Sequence, residues 1–130
     1  MSAFFVGTAH VNALLQFAHR HKVTIGMSWD MAGSALLRAN AHAMRCRYPH
    51  EDHTPIFREA ANFRFRPLAR GEAPRQPEAI WNACRCLDYQ CCEDDEWPLT
   101  EAHEIMLRIM AKAGDLMADG LGDDTWRITD

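Results

Sequence analysis

A chain of 130 residues, 48% apolar and 25% charged, is long enough to bury one core without disulfides or a structural metal, and too apolar to stay disordered. Five cysteines, an odd number, and a start with no basic region ahead of a long apolar run argue against a disulfide scaffold, a signal peptide and a membrane span. The formal charge of -4 hides an uneven spread: residues 1–92 carry 11 Lys and Arg against 7 Asp and Glu, whereas residues 93–130 carry 3 against 11.

Ala3–Val6 (AFFV) reads as a short buried strand, and Thr8 offers an N-cap to a helix whose inner face is Val11, Leu14, Leu15 and Ala18. That helix ends in the HRHK run near His21, where positive residues suit the helix dipole. From Val23 the period shortens to two, Val23, Ile25 and Met27 alternating with Thr24, Gly26 and Ser28, which is a strand signature. Asp30, or Ser28 just before it, caps a second helix to Arg47 with Ala32, Ala35, Leu36, Ala39, Ala43 and Cys46 along one stripe. Alanines there let a neighbouring element come close to the backbone.

Pro49 and a loop over Tyr48–Pro55 stop this helix. His50, Glu51, Asp52 and His53 in that loop offer H-x-x-H with adjacent acids, but the local spacing places no third ligand, so a solvated loop is expected. Asn62–Arg66 alternates Phe63 and Phe65 with Arg64 and Arg66, a strand with one buried and one wet face, ended by Pro67. Arg66, Arg70 and Arg75 then fall in RPLARGEAPRQP, an exposed loop whose arginines are expected to be solvated. Arginines beside aromatics are also the pattern of phosphate contacts.

Gln76–Trp97 holds four of the five cysteines: Cys84, Cys86, Cys91 and Cys92. Zinc sites build each half from two ligands two to four residues apart, and C-x-C-x4-C-C supplies neither half. As a helix over Pro77–Cys92, with about 100° per residue, the segment sets Cys84 and Cys91 on one side and Cys86 nearly opposite. The inner stripe is then Ile80, Ala83, Cys84, Leu87 and Cys91, with two thiols acting as small core hydrophobes and no metal held. A Cys-liganded metal site survives as an alternative only if the helix breaks near Asp88 and a histidine joins from elsewhere.

Thr100 is the expected N-cap of a last helix, Glu101–Met117, with Ala102, Ile105, Met106, Ile109, Ala113 and Leu116 on its core stripe. Leu107, Met110 and Met117 widen that stripe enough for a partner or a second copy to use part of it. Gly120 and Gly122 end the helix, and 121–130 is read as a tail that docks back through Trp126 and Ile128. No phosphate-binding glycine loop, dinucleotide fingerprint or G-x-S-x-G is present, and His103–Glu104 lacks the second His of a zinc protease because position 107 is Leu. A Cys86 or Cys92 nucleophile beside Asp88 and the EDDE run would have a raised thiol pKa, which argues against an enzyme.

The MSAFFV start, the segment carrying Gly33, Leu37, Asn40, Arg47 and Tyr48, and above all C-x-C-x-D-Y-Q-x-C-E (Cys84, Cys86, Asp88, Tyr89, Gln90, Cys92, Glu93) resemble a group of small proteins. That group is encoded on bacterial phages, plasmids and integrative elements. Leu87 stands where the group has an aromatic, and Cys91 is an additional thiol. The resemblance implies an accessory or anti-defence factor of the anti-CRISPR kind that binds a host protein.

The expected fold is α+β, predominantly helical, with about four helices packed on a small sheet of three short strands, as a single cytoplasmic domain over 1–130, monomeric or a homodimer. The expected function is inhibition of a host defence complex, such as a CRISPR effector component, without catalysis or cofactor. Glu93, Asp94, Asp95, Glu96, Glu101, Glu104 and Asp115 would present an acidic face to a basic surface. Nucleic acid and membrane are not expected partners; a nucleic-acid-binding or regulatory module using the Arg-bearing loop is the alternative.

Overall fold

Gly7 leads in extended backbone into α1 (Thr8–Arg20), and the computed structural model describes residues 7–87 and 97–121 of the chain. Thr8 is inside α1 and not its cap; its hydroxyl donates to Glu59 Oε1 at 3.0 Å. Val11, Leu14, Leu15, Phe17 and Ala18 face inward, as the 3.6-residue period requires. α1 closes on Lys22, which adopts φ 58, with Lys22 N–H donating to the His19 carbonyl and Val23 N–H to that of Ala18. This is the paired-bond helix stop that glycine usually makes, here with a lysine in the left-handed conformation.

Ser28 caps α2 (Trp29–Arg47), its Oγ accepting from Met31 N–H at 3.2 Å. Burial extends around most of α2, including Ala32, Gly33, Leu36, Leu37, Ala39 and Met44, because α1, α5 (Trp97–Leu116) and α3 (Thr54–Ala61) all pack on it. Cys46 departs from its expected stripe and is exposed. α3 was not legible as a helix. Pro55, read as part of a loop that ends α2, sits in the first turn of α3, where its missing N–H costs nothing, and Asp52 Oδ1 accepts from Thr54 N–H at 3.1 Å.

α4 (Pro77–Cys86) packs against α5 and α1. It stops at Leu87, whose N–H reaches the carbonyls of Ala83 and Cys84 and whose side chain is fully buried. The helix expected to run to Cys92 is therefore observed only to Cys86; residues 88–92 lie outside the described residues. α5 starts at Trp97, which places Thr100 inside the helix instead of capping it, and continues into a π-helical turn, Met117–Leu121. Leu14, Leu15, Leu36, Leu37, Ile105 and Ile109 form the fully buried centre, each contributing about 1.5–3 kcal/mol over an exposed position.

The expected sheet is absent from the described residues. The described residues form five helices and no strand, so the fold is helical and not α+β; the Ala3–Val6 segment lies outside the described residues. Val23–Met27 links α1 to α2, burying Ile25 and half-burying Val23 and Met27, with Gly26 at φ 77, outside the extended region of a regular strand. Phe63 is buried and Phe65 half-buried, as the alternation indicates, but a ladder's hydrogen bonds are replaced by side chains. Asp30 Oδ1 accepts from Phe65 N–H at 2.7 Å, Asn12 Oδ1 from Arg66 N–H at 2.8 Å, and Asn12 Nδ2 and Gln16 Nε2 donate to the Arg66 carbonyl at 2.9 and 3.0 Å. An extended segment needs its backbone groups satisfied, not a neighbouring strand in particular.

Asn12 mimics a peptide unit, donating to and accepting from the same residue. Asn12→Ala is expected to cost about 1 kcal/mol in chemical denaturation, and Asn12→Asp, which keeps the acceptor and loses the donor, less. Equal stability of Asn12→Ala and the parent chain would refute this tether.

Candidate functional site

Arg64 and Arg66 alternate with Phe63 and Phe65, so burying Phe63 against α2 turns both guanidiniums outward on one side of the tethered segment. The following turn, closed by Ala69 N–H donating to Glu72 Oε1 at 2.7 Å, brings Arg75 back toward them. Arg58 comes from α3 on the other wall. Together with the outer face of α1 they bound an open cleft of about 1090 Å³. Its charged lining is Arg58, Arg64, Arg66 and Arg75 against Glu59 and Glu72.

Both acids are already engaged, Glu59 by the Thr8 hydroxyl and Glu72 by its own turn. The Arg64 guanidinium donates to the Phe63 carbonyl at 2.7 Å and keeps further donors for another group. Arg66 holds the fold through its backbone, leaving its exposed side chain outside that tether. Sequence reading took the arginines of this loop as solvated and did not single out Arg58 at all. The missing signal is tertiary: a helix that the sequence conceals supplies the opposite wall.

The acidic residues expected to form a face divide in two. Glu93, Asp94, Asp95 and Glu96 lie outside the described residues. Glu101, Glu104 and Asp115 fall within about 60° of each other around α5. Glu101 is half-buried with Oε1 enclosed, while Glu104 and Asp115 are exposed. Arg108 and Lys112 share their stripe, and Arg108 turns aside to donate to the Thr24 carbonyl at 2.9 Å.

Among the thiols, Cys84 is 1% exposed and burial pushes its pKa up to about 12, so it is a packing residue and no nucleophile at neutral pH. No three His, Cys, Asp or Glu side chains among the described residues are placed to hold a metal ion; Cys91 and Cys92 lie outside them. The H-x-x-H pair does not converge, since His53 is buried with Nε2 2.7 Å from the Tyr48 carbonyl while His50 is exposed. Asp52 between them has its carboxyl held below the usual range by the hydrogen bonds from Thr54. No described helix is long and apolar enough to cross a membrane. No protein-family model, curated protein or solved structure matches the chain.

Proposed function

We propose that this chain is a non-enzymatic accessory protein of a mobile genetic element that binds and inhibits a host defence complex, in the manner of an anti-CRISPR protein, by offering an acidic surface to a basic one. The observation that carries this reading is the charge partition, 3 Lys and Arg against 11 Asp and Glu over residues 93–130. A surface that holds nucleic acid displays clustered cations, and an acidic protein competes for it by the same long-range attraction. On α5 the contribution of Glu101, Glu104 and Asp115 is diluted by Arg108 and Lys112, so the reading puts most of the attraction on Glu93, Asp94, Asp95 and Glu96.

Affinity capture from a bacterial lysate carrying defence systems identifies the partner, and titration of the purified pair then tests the surface. Reversing Asp94, Asp95 and Glu96 to lysine is expected to weaken binding steeply at low salt, the deficit shrinking as salt screens it. Unchanged affinity of the triple variant at low salt rejects the acidic-surface reading.

A further inference from the structure

We infer that the cleft between α1, α3 and the 62–75 segment binds the phosphodiester backbone of a single-stranded nucleic acid. Four guanidiniums, Arg58, Arg64, Arg66 and Arg75, line it with two carboxylates, and they come from two separate elements, α3 and the 62–75 segment. Arg66 is held through its backbone, which leaves its guanidinium outside that tether, while the Arg58 charge also helps hold the Asp52 carboxyl in its ionised form. A guanidinium presents a planar fork of donors that matches phosphate oxygens in pairs.

A regular interval suits a repeating polyanion. Arg64 and Arg66 stand two residues apart on extended backbone, on the order of 6.6 Å along the segment at 3.3 Å per residue. A strand of nucleic acid presents its phosphates at regular intervals whatever its sequence, so one register serves every strand. An acidic peptide would need carboxylates at matching alternate positions. The cleft is open and lined by α1, α3 and the loop, which suits a flexible strand that can follow it better than a stiff duplex that must lie over it. Charge in the first 92 residues, 11 against 7, favours approach from this side even though the whole chain carries -4.

This cleft is separate from the acidic surface proposed above, and either can fail without the other. Fluorescence anisotropy of the full chain with labelled oligothymidylate, oligouridylate and a DNA duplex, each across a salt series, tests it. Single strands are expected to bind at low salt, more tightly than duplex, with log K falling against log salt at a slope of roughly 1.4 to 3, for two to four phosphates neutralised. The pair Arg58→Ala and Arg66→Ala, with unchanged circular dichroism, should weaken binding about tenfold or more and reduce the slope by roughly 1.4. Arg70→Ala removes one charge outside the cleft and should change little. DNA against RNA preference then reports whether the 2′-hydroxyl is read. Absent binding at low salt, equal losses from Arg70→Ala and the cleft pair, tighter duplex binding, or displacement by polyglutamate at equal charge would each overturn the inference.

Discussion

Gly33→Ala is expected to destabilise the domain by about 1–3 kcal/mol, although alanine is the better helix former by about 1 kcal/mol. A Cβ on Gly33 would stand inside the space of the Phe63 ring, overlapping its Cε2, Cδ2 and Cζ atoms. Phe63 is 2% exposed, so the ring cannot swing into solvent without leaving the core. Position 33 is glycine because the ring of the 62–66 segment lies directly on the α2 backbone. Phe63→Ala should cost more, about 3–5 kcal/mol, by emptying that space. The two changes should couple: in the Phe63→Leu background the clash eases, and Gly33→Ala should cost less than in the parent. Chemical denaturation of the four proteins in this cycle measures the coupling, and strict additivity would show that ring and glycine do not meet. Because Phe63 anchors the segment carrying Arg64 and Arg66, both single variants should also blur the cleft.

That contact shows which parts of the molecule a one-dimensional reading reaches. Helical periodicity located α1, α2 and the core stripe of α5, since Leu14, Leu15, Leu36, Ile105 and Ile109 recur at the spacing of a buried face and are buried. Alternation at Val23–Met27 and Asn62–Arg66 was equally real: Ile25 and Phe63 do point inward. Alternation reports an extended chain with two unlike faces, and the step from there to a sheet assumes that another strand supplies the hydrogen bonds. Here Asp30, Asn12 and Gln16 supply them from helices, which no local pattern announces. α3 escaped for the opposite reason. Its eight residues include two turns only, and Pro55, a start signal, follows a run of polar residues that reads as a stop. With α3 unseen, Arg58 had no place beside the loop arginines, so the cleft was out of reach. Of the acidic face, residue types were legible from the first, yet the interleaved Arg108 and Lys112 dilute it once Glu101, Glu104 and Asp115 are wound onto one helix.

Alkaline pH should destabilise this protein through Cys84. The thiol is buried between α4 and its neighbours, and burial raises its pKa from 9.0 to about 12. Between those two values the folded state keeps a proton that the unfolded state has released, so stability is full below about pH 9 and falls as pH rises. The slope approaches 1.4 kcal/mol per pH unit only well above the unfolded value, so moving from pH 8.5 to pH 10 should cost roughly 1 kcal/mol. Denaturant midpoints measured across that range for the parent and for Cys84→Ala separate this thiol from tyrosines and lysines, which titrate in both. The variant should start lower at neutral pH, by about 1 kcal/mol for the atom removed from a packed core, and should then lose stability more slowly, the two curves converging as pH rises. Parallel curves would mean that Cys84 ionises as freely in the folded protein as outside it, and a sulfur so accessible would also restore the case for thiol chemistry in the segment that follows α4.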